Sequence, residues 1–342
     1  MTGLRRFGWE LLLALFILIA GTTASLLSRY YLSFGQITYS LQQSIAVIGT
    51  IAAGLVPVII VGEIDISQAA MLAFGNILFA FCSAGHLPLV VALPAVVVMC
   101  TAMGILNGVL VTAFALPSLA VTLGTMEAYR ALALLVGGHG EYASFGAAYV
   151  WLGSATIAGS IPVSLLFLIV IFAAFTFLLH GTVFGRLAFA VGNNAKATAM
   201  SGVRVGLVKI IAFAIAGGMA GVGSLIYIGQ YQSARADNAN DILLLIVTAV
   251  VLGGIDIFGG RGNVPGVLLS LLLLGTVENG MGLANVPGPV QTLVVGTILV
   301  VSVLVPLLLR LAHRTAARAR RPPSFLQPAT HPPWGGINDQ GR

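Results

Sequence analysis

Long stretches without a charged residue restrict the fold of this chain more than any other feature. Seven runs contain no Asp, Glu, Lys or Arg: 11–28, 30–62, 66–126, 142–185, 210–234, 262–277 and 279–309. About 20 helical residues cross a bilayer core of roughly 30 Å. Only 8% of the residues are charged, against about 25% in soluble domains. Lipid is therefore the expected solvent, and we predict an all-α polytopic membrane protein.

Turn-forming residues divide these runs into about ten predicted transmembrane helices. Ser83–Pro88 and Leu116–Pro117 interrupt the longest run. The predicted spans are 11–28, 40–62, 67–84, 89–114, 118–137, 162–180, 208–229, 242–258, 264–279 and 289–309. The loop 138–161 is rich in small residues and can hold a short surface helix. Because ten is an even number, both termini are predicted to lie on one side of the membrane.

The distribution of Lys and Arg assigns that side to the cytoplasm, because inner loops carry the excess of basic residues. With ten spans the inner residues are Arg5, Arg6, Arg186, Lys196, Arg204, Lys209, Arg261, Arg310, Arg314, Arg318, Arg320, Arg321 and Arg342. Arg29 and Arg235 are outside, and Arg130 lies within a span. Residues 1–309 are thus predicted to form the transmembrane domain. Residues 310–342 begin as a basic helix end, become Pro-rich and are predicted to be a disordered cytoplasmic tail that meets anionic lipid.

The inner loop Gly181–Lys209 is the longest, and it is the natural docking point for a cytosolic partner. Asn193 or Asn194 can cap a short helix over Ala195–Met200, and Gly202 can end it. Such a helix is compact enough to transmit force. The alternative is a plain connecting loop that lies on lipid.

Three further segments combine glycine or charge with apolar surroundings. Ala249–Leu269 carries Asp256 and the cluster Gly259–Gly262. Irregular backbone at membrane depth must be sheltered by protein or line a polar cavity, although these glycines could also serve only close helix packing. Val58–Ser67 contains Glu63 and Asp65, which are either functional or a solvated boundary pair.

The third segment, Pro117–Gly138, holds Glu127 and Arg130 at a spacing that allows an ion pair on one helix face. The pair is either structural or functional. No phosphate-binding loop of the form GxxxxGK[ST] is present, and His and Cys show no metal-ligand spacing. We predict no cofactor, no nucleic-acid partner and no ATP hydrolysis by this chain.

Several of these segments resemble permease subunits of bacterial ABC importers for sugars (ribose, xylose, arabinose, rhamnose and autoinducer-2). The matching motifs are Gly185–Val203, Ala249–Gly266 and Leu116–Arg130, and the similarity covers about residues 9–309. Gly8–Leu11 and Ser233–Arg235 are most similar to the autoinducer-2 and rhamnose branches. Glu63 departs from the pattern, which usually has a second glycine there.

The resemblance implies a type II importer-like fold and a passive path worked by partners. These are a cytosolic ABC ATPase that binds ATP, a periplasmic sugar-binding protein and a second permease chain, identical or related. The residues predicted to contact the ATPase are Gly192, Asn193, Asn194, Ala197, Ser201 and Gly202. Those predicted to line the path are Asp65, Thr122, Thr125, Glu127, Arg130, Asp256 and Asn279.

Two other functions remain open on the sequence. A branched-chain amino-acid ABC permease would share the general architecture. A self-sufficient proton-coupled transporter would use intramembrane carboxylates as a relay, namely Glu63, Asp65, Glu127 and Glu278.

Overall fold

The computed structural model describes residues 8–27, 31–143, 145–157, 159, 161–240 and 242–319, and this part of the chain is almost entirely helical. Its helices are α1 (Gly8–Leu27), α2 (Phe34–Ile60), α3 (Gln68–Ala84), α4 (Leu89–Ala113), α5 (Ser118–Gly137), α6 (Ala147–Ser154), α7 (Val163–Gly181), α8 (Val183–Asn193), α9 (Ala195–Met200), α10 (Val205–Tyr231), α11 (Ile242–Leu252), α12 (Val264–Leu283) and α13 (Gly288–Ala319). The all-α fold predicted from the sequence is confirmed.

Each predicted span corresponds to one of the longer helices. Seven of the described helices are long and apolar enough to cross a membrane: α1, α2, α4, α5, α7, α10 and α12. The apolar parts of α3, α11 and α13 are shorter. Some boundaries differ from the prediction: α13 continues to Ala319 instead of residue 309, and α11 ends at Leu252 instead of residue 258. Gly254 stops the helix there with φ +88°, a left-handed conformation that favours glycine.

The helices alternate in direction, so the connections fall into two groups. One group joins α2 to α3, α4 to α5, α7 to α10 and α11 to α12. We call this the coupling end, because it contains α8 and α9. Five basic residues of the described chain lie there, namely Arg186, Lys196, Arg204, Lys209 and Arg261, whereas Arg235 lies at the opposite end. The location of the coupling end in the cytoplasm rests on these residues and stays a prediction.

α2 is the central helix of the bundle, and almost all of its residues from Ile45 onward are buried. α10 packs against it and, on its other side, against α4. Close approach of α4 and α10 depends on glycine, because a Cβ on Gly217 would lie 3.0 Å from both the nitrogen and the Cα of Gly104. Both glycines belong to a GxxxG pattern, which is typical of tightly packed membrane helices.

The opposite end carries short two-stranded pairings. β1 (Tyr142–Ala143) pairs antiparallel with β4 (Ser233–Ala234), and β2 (Thr156–Ile157) pairs with β3 (Ile161–Pro162). The surface helix considered for this loop is present as α6. Of the predicted tail, residues 310–319 continue α13, and residues 320–342 lie outside the described part.

Candidate coupling site and substrate path

The connection from Thr182 to Arg204, here called the coupling loop, is built by side-chain caps. The Thr182 hydroxyl accepts a hydrogen bond from the Gly185 amide (3.4 Å) and begins α8. Asn194 accepts from the Ala197 amide (3.0 Å) and begins α9, as predicted. Gly202 ends the turn after α9 with φ +82°. The predicted short helix, with its start and stop, is therefore confirmed.

α9 is a compact, mostly exposed knob. Thr198 is its buried residue, and its hydroxyl donates to the Ala190 carbonyl of α8 (2.9 Å), which fixes the two helices together. The residues predicted to contact an ATPase are exposed, namely Asn193, Asn194, Ala197, Ser201 and Gly202, whereas Gly192 is half-buried. Met200 is 88% exposed at the end of α9. This apolar tip was missed at the sequence level.

Three segments of the coupling end meet through their main chains, and we call their meeting point the glycine junction. It consists of Ile60–Gly62 at the end of α2, Gly192–Asn193 at the end of α8, and Gly259–Gly260 in the turn between α11 and α12. The Gly260 amide donates to the Ile60 carbonyl (2.8 Å). A Cβ on Gly192 would overlap that same carbonyl oxygen and lie 2.5 Å from the Gly260 nitrogen.

Backbone packs directly on backbone throughout the junction. A Cβ on Gly260 would lie 2.8 Å from the Asn193 nitrogen, and one on Gly259 would lie 2.8 Å from the Gly62 Cα. Gly259 and Gly260 also have φ of +84° and +74°. These glycines form a turn outside any helix, and that turn packs closely against the ends of α2 and α8.

Side chains attach further elements to the same end. The Lys209 ammonium, one turn into α10, forms an ion pair with Glu63, and both side chains are largely buried. The Trp9 indole N–H donates to the Leu252 carbonyl (2.8 Å), and Asn263 donates to the Glu10 carboxylate (2.8 Å). The start of α1 is thereby fixed to the loop between α11 and α12.

Asp65 lies in the turn segment 61–67 and is completely buried. Its carboxylate accepts from the Ser67 amide (2.9 Å), the Ser67 hydroxyl (2.6 Å) and the Gln68 side-chain amide (2.6 Å). Asn107 of α4 donates to the Ser67 hydroxyl oxygen (2.9 Å). The Tyr129 hydroxyl of α5 donates a hydrogen bond to Asn107 Oδ1 (2.9 Å). Asp65 is therefore the centre of a buried network and not a member of a solvated pair.

α5 also holds the main chain of the turn segment. The Ile64 amide donates to the Ser118 hydroxyl (3.1 Å), and the Thr122 hydroxyl shares its hydrogen between the Ser118 carbonyl (2.9 Å) and the Ile64 carbonyl (3.3 Å). Thr122 is fully buried by these contacts. Polar groups at the start of α5 thus satisfy backbone groups that would otherwise be unpaired inside the bundle.

The seven residues predicted to line the path are separated by the structure. Asp65 and Thr122 are hydrogen-bonded and fully buried near the coupling end, so neither faces an open space. Asp256 lies in the turn before the glycine junction, where it accepts from the Phe258 amide (3.2 Å). Thr125 is half-buried on α5. These residues therefore lie in different parts of the described chain, and their role in lining the path stays a prediction.

The predicted ion pair between Glu127 and Arg130 is wrong. The two side chains form no salt bridge in the described chain; Arg130 instead reaches the Ala236 carbonyl (3.5 Å) at the opposite end. Glu127 is exposed on the face of α5 that also exposes Gly124 and Ala128. Helical spacing brought the two residues within reach of each other, but the loop after α10 offers Arg130 a closer acceptor.

Asn279 is half-buried on α12 near the opposite end, next to Glu278. Glu278 lines a cavity of about 440 Å³ between α11, α12 and α13, together with Gln291 and Thr292. The other walls include Leu244 and Leu245. A carboxylate, an amide and a hydroxyl in an otherwise apolar cavity can bind a small hydroxylated molecule.

The family model of the branched-chain amino acid transport system permease component matches residues 37–303, which covers every element of the coupling end except α1. The chain belongs to this family. The permease is also similar to curated membrane subunits of ABC importers. It is 28% identical to the autoinducer 2 import system permease protein LsrD of Yersinia enterocolitica over 88% of its own length and 92% of that protein.

A second relative is more similar in sequence. The probable ABC transporter permease protein YphD of Escherichia coli K12 is 35% identical over 80% of the permease and 82% of YphD. The LsrD protein of Photorhabdus temperata is 28% identical over 88% of the permease. No solved structure matches. The predicted resemblance to sugar ABC importer permeases is confirmed, and the permease is a multi-pass inner-membrane protein.

Proposed function

We propose that the permease forms the path of an ABC importer for a monosaccharide-like substrate such as rhamnose, autoinducer-2 or a pentose. A periplasmic binding protein delivers the substrate, and separate cytosolic subunits hydrolyse ATP. A second permease chain completes the path. The observation that carries this proposal is the coupling loop, an exposed knob seated on two other connections of the bundle through main-chain contacts at the glycine junction.

A rigid, exposed helix of this kind suits a transporter whose energy is supplied by a separate ATPase subunit. A flexible loop would absorb the displacement of a bound partner, whereas α9 is tied through Thr198 to α8, and the end of α8 packs in the glycine junction. ATP binding then does work because the ATPase pair has different affinity for the two states of the permease. The names of the relatives LsrD and YphD support import by an ABC system, and autoinducer 2 import is stated for LsrD.

Reconstitution of the full-length permease in liposomes tests the proposal. With its cognate ATPase and binding protein we expect ATP-dependent uptake of L-rhamnose, D-ribose, D-xylose or autoinducer-2, and none without the ATPase. L-Leucine serves as the competing substrate, because branched-chain amino-acid transport gives the family its description. Leucine uptake alone, or uphill sugar uptake by the permease without partners, would contradict the proposal.

Replacing Glu127 with Gln separates the importer from a proton-coupled transporter. Glu127 is exposed and forms no ion pair within the described chain. We expect ATP-driven uptake by Glu127→Gln to stay within about twofold of wild type, because Gln keeps the size and polarity of a path-lining side chain and no ion pair within the described chain is lost. We also expect that an imposed pH gradient drives no uptake in either protein. Glu278→Gln tests a second carboxylate of the relay in the same way, and uptake that is driven by pH and lost in either variant would identify a relay.

A further inference from the structure

We propose that the turn segment 61–67 transmits displacement of the coupling loop to α5. The Glu63–Lys209 ion pair is the contact that makes the turn segment move with the coupling loop. This inference rests on the proposed function. It assigns Glu63 and Lys209 as positioning residues, a role that the sequence did not indicate. Glu63 is also the position at which the chain departs from the pattern it resembles.

The turn segment is contacted by residues that precede α9 in the chain and by a residue that follows it. Before α9, Gly192 and Asn193 pack on the main chain of Ile60 and Gly260 at the glycine junction. After α9, Lys209 of α10 pairs with Glu63. Displacement of the coupling loop together with the first turn of α10 would therefore act on residues 60–63 from two directions.

The ion pair is placed where its strength depends little on solvent. Its side chains are 20% exposed for Lys209 and 13% for Glu63. Charges that are partly removed from water interact more strongly and are screened less by salt than exposed pairs. Removal of one partner also leaves the other charge without compensation in this position.

The other side of the turn segment is joined to α5. Ser118 and Thr122 bind both main-chain groups of Ile64. Asp65 reaches Tyr129 through Ser67 and Asn107. α5 therefore contacts the turn segment directly over its first turn and again, through Asn107 of α4, at Tyr129. It also carries Thr125 and Glu127, which are predicted to line the path. Packed networks of this kind can transmit displacement when the element has two arrangements.

Hydrogen exchange in the assembled importer tests the inference. The full-length permease with its cognate ATPase is placed in nanodiscs, and amide exchange is compared with and without Mg²⁺ and the non-hydrolysable analogue AMP-PNP. In wild type we expect the nucleotide to change exchange by at least about fivefold in 61–68 and in 118–122. Glu63→Lys or Lys209→Glu should abolish the change in both regions, and the double reversal should restore it.

Arg235 and Asp237 supply the matched control. They form a salt bridge at the opposite end, with 2.8 Å between Arg235 Nε and Asp237 Oδ1, and both are exposed. Single and double reversals of this pair should leave the response of 61–68 unchanged. If a reversal variant fails to assemble, Glu63→Gln and Lys209→Gln carry the same expectation, because they remove the attraction without creating repulsion.

The outcomes separate this inference from the proposed function. If the nucleotide protects 195–200 in wild type but leaves 61–68 unchanged, α9 still binds the ATPase and the transmission role is wrong. If single reversals respond like wild type, or if the double reversal fails to restore the response, the ion pair is not the required contact. A wild-type importer with no nucleotide response even at 195–200 would contradict the proposed function itself.

Discussion

Replacing Gly192 with Ala is expected to abolish ATP-driven uptake. The added methyl would overlap the Ile60 carbonyl oxygen and lie 2.5 Å from the Gly260 nitrogen. Those two atoms are hydrogen-bonded to each other (2.8 Å), and neither can rotate away as a side chain would. Overpacking against side chains costs about 1–3 kcal/mol, and overlap with main chain should exceed that. The three connections of the glycine junction must therefore separate.

The measurement is ATP-dependent uptake in liposomes alongside the ATPase rate. For Gly192→Ala we expect uptake to fall at least about tenfold, the factor that corresponds to 1.4 kcal/mol, while ATP hydrolysis no longer responds to the loaded binding protein. Gly35→Ala is the matched control, because it lies on α2 but a Cβ there would have no neighbour within 4 Å. Normal, stimulated uptake by Gly192→Ala would refute the role given to the glycine junction.

Asp65→Ala is expected to cause the largest loss of stability of any single change at the coupling end. Its carboxylate accepts three hydrogen bonds in a fully buried position. Removal leaves the Ser67 and Gln68 donors without their acceptor, and an unsatisfied buried donor costs about 1–3 kcal/mol. We expect the free energy of unfolding to fall by roughly 3 kcal/mol or more, measured as a lower thermal unfolding midpoint in detergent.

Asp65→Asn distinguishes a structural acceptor from a proton carrier. Asn keeps Oδ1 for Ser67 but presents an amide to Gln68. The Gln68 Oε1 atom is buried and has no partner within the described chain. Rotation of the Gln68 amide by half a turn would let Oε1 accept from the new Asn, so we expect most of the stability and uptake to be kept. An Asp65→Asn protein that is stable but inactive would favour the relay of carboxylates over the network described here.

The sequence was sufficient for the elements that depend on local chemistry. Charge-free runs predicted the long helices. Asn194 predicted the start of α9, and Gly202 predicted the end of the turn that follows it. Gly62–Ile66 and Gly253–Ile257 resemble each other in sequence, and in both turns the aspartate accepts from the amide two residues later. Their surroundings differ, since Asp65 is fully buried and Asp256 is half-buried.

The contacts between distant segments could not be predicted in the same way. Ile60, Gly192 and Gly260 meet through main-chain atoms, and main-chain contacts leave no pattern of residue types other than glycine itself. Glu63 and Lys209 are 146 residues apart, so no helical spacing relates them. The prediction of a Glu127–Arg130 ion pair was wrong for the opposite reason. The helical spacing was suitable, but it gave no information about the Ala236 carbonyl, which Arg130 contacts instead.

The attachment of α1 has a consequence for biogenesis. α1 is little buried, and its anchors, Trp9 to Leu252 and Glu10 to Asn263, join residues more than 240 positions apart. During synthesis α1 enters the bilayer before the other described helices, yet the helix on which it packs, α12, emerges from the ribosome after all of them except α13. The nascent chain must therefore hold α1 in lipid, unassembled, until α12 has been made.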